Sequence, residues 1–302
     1  MLSHRSLLLR CLFCLFLAAG IPAYCGAQQN FDQVQIQTEK LADGVYMLTG
    51  SGGNIGVCAG EDGVLMIDSQ YAPLTEKIRA AVDAISDQPI RFLINTHWHS
   101  DHTGGNENLA KKGAVIFAHE NVRKRMSTNQ SIFGNDVPAS SKAALPVVTF
   151  DQGMTFYLNG NEIELLHIPH AHTDGDVLVH FPKPDVLHTG DIYFEGMYPF
   201  IDVSSGGSID GMIRAVDKVL AMIDEDTIII PGHGPLSNKE KLQGYRKMLA
   251  TIRERVAQHL NDGKTLEEIL AARPTQEFDA AMGQGFMNGE RFVGLVYDSL
   301  QK

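Results

Sequence analysis

Cysteine is scarce in this sequence, and its distribution excludes a fold held together by disulfides. Only four cysteines occur among 302 residues, and Cys11, Cys14 and Cys25 lie within or beside an apolar N-terminal segment. We expect that segment to be removed, which leaves Cys58 without a partner for an internal bridge. Cys58 lies in the apolar run 55–59, so the sequence predicts a buried core residue rather than a nucleophile.

Basic charge is also in deficit. The chain has 25 lysines and arginines against 36 aspartates and glutamates, a net charge of −11. Without Arg5 and Arg10 of the N-terminal segment, 23 basic residues remain and the net charge is −13. A protein that binds nucleic acid or an anionic membrane surface needs a basic footprint. The composition therefore argues against both of these partners.

Apolar runs long enough to span a membrane are also absent. The apolar stretch at residues 7–19 is shorter than the ~20 residues of a membrane-spanning helix. The basic residues Arg5 and Arg10 accompany this stretch, and small residues follow it near Ala23 and Ala27. This pattern predicts a signal peptide over residues 1–27. Export to the periplasm or secretion follows, with a single domain over residues 28–302 and no stable membrane anchor.

Three alternatives for the N-terminal segment stay open. Cleavage after Ala23 is the second choice for the signal peptidase site, behind cleavage after Ala27. The segment could instead remain as an uncleaved anchor helix. Cys25 could carry a lipid, although Tyr24 is too bulky for the usual lipoprotein signal.

Short apolar runs bounded by glycine predict an α/β protein. Strands are predicted at 45–48, 55–59, 64–67, 91–95, 155–158, 162–168, 177–181, 186–188 and 227–230, and helices at 75–85, 208–223 and 238–260 with two shorter helices at the end. Strands followed by a helix–strand alternation occur twice, so we expect two similar halves packed sheet to sheet with helices outside. Residues 127–149 lack such a pattern, and we interpret them as an irregular flap or site wall.

The strongest chemical signal is a cluster of side chains that can bind metal. Residues 97–102 read His-Trp-His-Ser-Asp-His, which places four donors within six residues: His97, His99, Asp101 and His102. A catalytic metal takes three protein ligands and leaves a position for water. Four adjacent donors can therefore serve two ions only if further ligands come from elsewhere in the chain.

Three such ligands follow predicted strands, with glycine close by in the sequence. They are His172, Asp191 and His233. Glycine allows the backbone to turn sharply and leaves space beside a ligand. His170 is an alternative to His172, but His172 better fits a His-Thr-x-Gly continuation.

The motif at residues 97–102 and the later His, Asp and His resemble the metallo-β-lactamase superfamily over roughly residues 40–240. The resemblance implies an αβ/βα four-layer sandwich with the site along one edge. It also implies that His97, His99 and His172 bind one metal and that Asp101, His102 and His233 bind the other. Asp191 would bridge the two ions.

The resemblance further implies a metal-dependent hydrolase acting on a small-molecule substrate. Two divalent ions share a water and lower its pKa toward ~7, giving hydroxide at neutral pH. Asp101 is the expected catalytic residue, because it can orient this nucleophile or pass on a proton. Imidazole and carboxylate ligands without thiolate suit two Zn²⁺ ions, and iron and manganese are the alternatives.

The substrate is less well defined by the sequence. Secreted β-lactamases of this superfamily commonly have cysteine where this chain has Asp191, and a lysine soon afterwards, whereas here no lysine follows before Lys218. We expect a cyclic amide or ester as substrate, with β-lactam turnover included. A lactone or thioester hydrolase resembling glyoxalase, a mononuclear iron enzyme that oxidises sulfur compounds, and a non-catalytic metal-binding module are the alternatives. The sequence leaves the oligomeric state open.

Several neighbours of the ligands carry further expectations. Asp68 either braces the motif loop or is an ordinary turn aspartate, and we expect Trp98 to pack beneath the site. The glycine-rich residues 50–54 read as a flexible hairpin loop beside the site. Four aromatic residues follow Asp191 and form either a substrate wall, which we favour, or core: Tyr193, Phe194, Tyr198 and Phe200.

Overall fold

Two β-sheets form the centre of the protein in the computed structural model, which describes residues 30–302. The first sheet has seven strands in the order β1–β2–β3–β4–β5–β6–β9. These strands are β1 (Gln37–Ala42), β2 (Val45–Thr49), β3 (Ile55–Gly60), β4 (Gly63–Ile67), β5 (Ile90–Ile94), β6 (Val115–His119) and β9 (Val148–Phe150). Pairing is antiparallel from β1 to β4 and parallel from β4 to β9.

The second sheet has five strands in sequential order. They are β10 (Gly153–Leu158), β11 (Asn161–Ile168), β12 (Asp176–Phe181), β13 (Val186–His188) and β14 (Ile228–Ile230). Only the last pair, β13 with β14, is parallel within this sheet. A separate hairpin, β7 (Gln130–Ile132) and β8 (Asn135–Val137), stands outside both sheets.

Nine α-helices complete the part of the chain that the structure describes. They are α1 (Thr75–Asp83), α2 (Ser100–Thr103), α3 (Asn106–Ala110), α4 (Glu120–Met126), α5 (Ile209–Met222), α6 (Lys239–Asn261), α7 (Leu266–Ala271), α8 (Asp279–Met282) and α9 (Gly289–Leu300). Helix α5 has an N-cap, because Ser208 Oγ accepts the Gly211 N–H. None of these helices is long and apolar enough to cross a membrane.

Alternation along the central strands explains the layers. In β4, Leu65 and Ile67 pack toward the second sheet, whereas Val64 and Met66 pack toward α1 and α3. Both faces of such a strand are buried, which is why it reads as a continuous apolar run. The outer face of the second sheet is covered by α5, α6 and α9. The predicted four-layer sandwich is therefore confirmed.

Three details differ from the sequence prediction. β1 starts at Gln37, before the first predicted strand, because an exposed edge strand has no apolar pattern that a sequence prediction could find. Three helices rather than two follow α6. Residues 127–149 are not irregular throughout, since they contain the β7–β8 hairpin and begin β9.

Candidate metal centre

The predicted ligands follow four strands and meet at one edge of the sandwich. The 97–102 motif follows β5, His172 follows β11, Asp191 follows β13 and His233 follows β14. Within the motif, His97 and His99 lie in an extended loop, and Asp101 and His102 lie in α2. All seven side chains come together in two adjacent groups. The carboxyl ends of strands are where α/β folds usually place their chemistry.

The first group consists of His97, His99, His172 and Asp191. One donor atom from each side chain lies within 4.8 Å of every other, and all four residues are buried. His99 Nδ1 is 2.9 Å from His172 Nε2. His97 Nε2 is buried and has no hydrogen-bond partner among residues 30–302. Burial has the largest influence on the pKa of His172 and lowers it to about 4, so this ring is neutral.

The second group consists of Asp101, His102 and His233. His102 Nε2 is 3.3 Å from His233 Nε2, and His233 Nε2 is 3.3 Å from Asp101 Oδ2. Asp101 and His233 keep 23% and 19% of their side-chain surface exposed, whereas the first group is almost fully covered. The second group is therefore the more exposed part of the centre.

Asp191 joins the two groups through its two oxygens. Oδ2 lies 3.5 Å from His172 Nε2 and 3.7 Å from His97 Nε2. Oδ1 lies 3.1 Å from His102 Nε2 and 3.5 Å from His233 Nε2, without hydrogen-bond geometry. Burial opposes the charge on Asp191, but the surrounding imidazoles, His102 first, hold its pKa well below the usual range. This carboxylate is placed as a bridge.

Outer hydrogen bonds fix the rings and their tautomers. Asp68 accepts from Nδ1 of His102 at 2.7 Å, and also from the Thr96 N–H and hydroxyl. Since Thr96 Oγ1 donates to Asp68, it accepts from Nδ1 of His97. The Phe200 carbonyl accepts from Nδ1 of His172. Each of these rings therefore directs its other nitrogen, Nε2, toward the cluster, and Asp68 is a brace rather than a plain turn residue.

Asp202 fixes the orientation of the His99 ring in the same way. This role was not predicted from the sequence. Its carboxylate lies 3.0 Å from His99 Nε2, so the ring donates outward and Nδ1 faces the cluster. Ser205 ends the turn that Asp202 begins, and its hydroxyl accepts a hydrogen bond from Trp98 Nε1. Trp98 is buried and packs beneath the site, as predicted.

Asp101 stays ionised at the open side of the cluster. Burial favours its neutral form, but the nearby His102 and a hydrogen bond with His233 lower the pKa of Asp101 to about 2. A permanent carboxylate here can accept a hydrogen bond from a water molecule.

Two glycines make room for the ligand side chains. A Cβ at Gly53 would lie 2.1 Å from the His102 ring, and one at Gly232 would lie 2.1 Å from Asp191 Oδ1. The 50–54 loop is tied to the site, because Gly53 donates to the Asp101 carbonyl and the Asn54 side chain donates to the carbonyls of Pro231 and Gly234.

The preference for an aromatic substrate wall after Asp191 is wrong for two of its residues. Tyr193 packs in the core against Tyr245, and Tyr198 stacks on Phe292. Phe194 and Phe200 instead lie against ligand rings. Phe194 stacks on His233, and Phe200 stacks on His99 with ring centroids 5.5 Å apart.

His170 lies apart from the cluster, although it is only two residues from His172. It is exposed, its backbone is left-handed with φ = 57°, and its ring contacts the Gly206 carbonyl. The structure therefore favours His172 over His170 as the ligand.

The donor set fits two cations. The unprotonated nitrogens of His99 and His172 lie 2.9 Å apart, an arrangement that repels unless a positive charge lies between them. The orphaned His97 Nε2 and Asp191 Oδ1 point to the same conclusion. Three donors on one side, three on the other and the shared carboxylate of Asp191 match a dinuclear site.

The chain belongs to the metallo-β-lactamase superfamily, whose sequence profile matches residues 48–233. It is similar to the linear primary-alkylsulfatase of Pseudomonas sp. (strain ATCC 19151), with 23% identity over 253 residues that cover 69% of this chain and 47% of that protein. It is also similar to the hydroxyacylglutathione hydrolase of Polaromonas sp. (strain JS666 / ATCC BAA-500), with 27% identity over 170 residues that cover 55% of this chain and 57% of that protein.

The chain therefore spans about half the length of these two curated relatives. Among solved structures, a metallo-β-lactamase from Pontibacter korlensis superposes with a TM-score of 0.61 at 20% identity, covering 72% of this chain and 99% of that one. This likeness confirms the fold. The predicted membership of this superfamily is confirmed as well, and its curated relatives include a hydroxyacylglutathione hydrolase.

Proposed function

We propose that this protein is a dinuclear zinc hydrolase that opens a cyclic amide or ester. The observation that carries the proposal is Asp191, whose two oxygens face the two ligand groups separately. A carboxylate in that position holds two cations close together, as a two-metal hydrolase needs. Five imidazoles and two carboxylates without thiolate suit zinc, and they also accept iron or manganese.

Metal binding by the seven residues is part of the proposal. His97, His99 and His172 hold the first ion, Asp101, His102 and His233 hold the second, and Asp191 bridges them. When bound, two such ions supply a Lewis-acidic pair that lowers the pKa of a shared water and polarises a substrate carbonyl.

The protein's own residues orient the reaction. Asp101 is charged and lies on the exposed side, so it accepts a hydrogen bond from the attacking water and fixes its direction. Asp68 and Asp202 keep their imidazole partners aimed inward. Phe194 and Phe200 cover ligand rings and exclude water from the far side.

The residues at and after Asp191 argue against a dedicated β-lactamase. An aspartate rather than a cysteine at this position, with no lysine before Lys218, departs from the pattern of dedicated β-lactamases. We therefore place β-lactams among the substrates, beside lactones and other cyclic esters. Thioesters are the nearest alternative, and similarity to a hydroxyacylglutathione hydrolase supports it.

A second candidate function is the hydrolysis of sulfate esters. It is favoured by the alkylsulfatase relative, whose match extends over 69% of this chain. A mononuclear iron enzyme is the redox alternative, and its metal content would differ.

The deciding experiment combines metal analysis with a substrate panel. The purified protein is analysed for zinc, iron and manganese by mass spectrometry and assayed with nitrocefin, an alkyl lactone, an acyl thioester and an alkyl sulfate. The proposal expects about two zinc ions per chain and turnover of nitrocefin or the lactone that is lost in His97→Ala. One iron per chain, or turnover of the sulfate ester alone, would contradict it.

We also propose export to the periplasm or secretion, supported by the basic and apolar pattern of residues 1–27. Those residues lie outside the described part of the chain. N-terminal sequencing of the protein from fractionated cells tests this proposal, which expects an extracytoplasmic protein starting at Gln28 or Tyr24. A cytoplasmic protein that retains Met1 would refute it.

A further inference from the structure

An apolar cavity lies between the β7–β8 turn and α9, a helix beyond the region that the superfamily profile covers. Its volume is about 400 Å³, and among residues 30–302 it is lined by Phe133 of the β7–β8 turn and by Arg291, Gly294 and Leu295 of α9. Cavities that hold small ligands have volumes of about 300–1,000 Å³. The profile ends at residue 233, so α9 lies outside the part of the chain that it matches.

Stacked rings connect this cavity with a metal-ligand candidate. The Phe133 ring lies 4.7 Å from the Phe200 ring, measured between centroids, and the Phe200 ring lies 5.5 Å from that of His99. One aromatic ring therefore separates Phe133 from the first ligand group. A substrate whose scissile bond lies at the cluster can extend along these rings into the cavity.

Phe133 occupies a backbone position that disfavours it. Phe133 and Gly134 form a two-residue turn between β7 and β8, and both have positive φ, 50° and 76°. Such turns favour Asn-Gly, and a bulky residue in the left-handed region is strained. The side chain is nevertheless 59% exposed, so core packing does not account for it. Strain at an exposed aromatic beside an active site is a mark of a binding role.

The facing helix leaves open space at the same place. A Cβ at Gly294 would meet no atom within 4 Å, although this residue is half-buried in the middle of α9. Glycine weakens a helix interior relative to alanine, so its presence here needs another reason. An empty volume opposite Phe133 supplies that reason.

Arg291 gives the cavity its charge preference. It is exposed, it donates to the Phe286 carbonyl, and no carboxylate within residues 30–302 lies within 4.0 Å of its guanidinium. We propose that this cavity is a subsite for an apolar arm of the substrate, an alkyl chain or aryl ring, and that Arg291 favours an arm with a negatively charged end. This inference rests on the proposed function, because it places the scissile bond at the metal centre.

Alkyl hydroxamates test the subsite, because their head group binds zinc and the arm can be lengthened one methylene at a time. Affinities of the two-carbon to ten-carbon compounds are measured by titration calorimetry on zinc-loaded protein. We expect affinity to rise about fourfold for each methylene that becomes buried, until the cavity is filled. A terminal carboxylate on the longest arm should add up to about fivefold, and Arg291→Gln should remove this gain.

Two variants remove the subsite without endangering the fold. Phe133→Asn places a favoured residue in the turn and removes the ring. Gly294→Leu fills the open space and improves helix propensity. Both should flatten the dependence on arm length while leaving two-carbon binding unchanged. Gly244→Leu is the matched control, since Gly244 is an exposed glycine of α6 that also meets no atom within 4 Å.

The outcomes separate this inference from the proposed function. A steep dependence that survives in both variants, or a flat dependence in the unmodified protein that binds the two-carbon compound, would overturn the subsite alone. Failure of every hydroxamate to bind, together with absence of zinc, would overturn the dinuclear function and the subsite that rests on it.

Discussion

The carboxylate of Asp202 lies 3.0 Å from Nε2 of His99, on the opposite side of the ring from the nitrogen that faces the cluster. The same carboxylate accepts the backbone N–H of Ser205 and the hydroxyl of Ser204. Asp202 therefore ties a ligand ring to the turn that follows it. The ring can rotate only if that turn opens.

Replacing Asp202 should weaken metal binding without removing a ligand. We expect Asp202→Ala to lower zinc affinity about 10-fold to 100-fold, because the His99 ring loses both its orientation and its tautomer preference. Asp202→Asn keeps an acceptor for the ring N–H, so its zinc affinity should lie between those of the unmodified protein and Asp202→Ala. Competition with a chromophoric chelator measures the affinity. Asp217→Ala, which breaks an exposed ion pair with Arg246, is the control and should bind zinc normally.

The seven ligand candidates were predictable because short spacing and neighbouring glycines mark them in the sequence. Asp202 carries no such mark, since its role depends on where the chain passes after Asp191. The prediction of a substrate wall from the aromatic residues after Asp191 was wrong in part for a similar reason. Tyr193 and Tyr198 turn toward α6 and α9, whose positions depend on tertiary packing rather than on a local repeat.

Gly53→Ala should disable the second ligand group. Its Cβ would lie 2.1 Å from the His102 ring, so the ring or the loop must move. We expect zinc content to fall from about two ions toward one and turnover to drop at least about tenfold. Gly244→Ala adds a methyl group where nothing lies within 4 Å and should leave both quantities unchanged. Full zinc content in Gly53→Ala would contradict this prediction and show that the 50–54 loop can move without loss of metal binding.

His172 and His170 offer a matched pair for testing the ligand assignment. His172→Asn should abolish turnover and reduce metal content, because the first group loses a buried nitrogen donor. His170→Asn should leave both intact, since His170 is exposed and asparagine tolerates its left-handed backbone. Metal analysis and turnover of the best panel substrate measure the difference. Equal losses in the two variants would contradict the assignment.

Removing metal should destabilise the fold. Chelation leaves unprotonated nitrogens facing one another in a buried site, and it also removes the free energy that binding adds to the folded state. Metal at 100 times its Kd stabilises by about 3 kcal/mol, which corresponds to a Tm change on the order of 5–10 °C in a chain of this size. Thermal unfolding with and without EDTA measures this change. In His172→Asn the shift should be smaller, and an equal shift would point to a metal elsewhere.

The layers of the fold were predictable because β3 and β4 read as continuous apolar runs. The β7–β8 hairpin was not, since its strands have only three residues each and are largely exposed. Its stability comes from contacts made by distant residues. Arg125 donates to the Gln130 side chain while it pairs with Asp174.

Acid should destabilise the protein through a pair of stacked histidines outside the two ligand groups. The rings of His119 in β6 and His167 in β11 lie 3.5 Å apart, measured between centroids, and are nearly parallel. Burial, aided by repulsion from His167, lowers the pKa of His119 to about 4. His119 Nδ1 also accepts the Asn121 N–H at the start of α4, which a proton on that nitrogen would prevent.

The lowered pKa of His119 determines in which direction stability changes with pH. The folded state holds His119 neutral, whereas the unfolded chain protonates it near its ordinary value of 6.5. The stabilisation is therefore complete above pH 6.5 and is lost as the pH falls toward about 4, by up to about 3 kcal/mol. Urea unfolding of metal-stripped protein at pH 7.5 and pH 4.5 measures the loss without a contribution from metal release.

His119→Asn should shrink that difference between the two pH values. Asparagine keeps an acceptor for the first turn of α4 but has no proton to gain. Its stability at pH 7.5 should be lower, because the ring stack is lost, so the readout is the change with pH rather than stability itself. His259→Asn in α6 is the control and should retain the full acid loss. A His119→Asn protein that loses as much stability on acidification as the unmodified one would place the sensitivity in other groups.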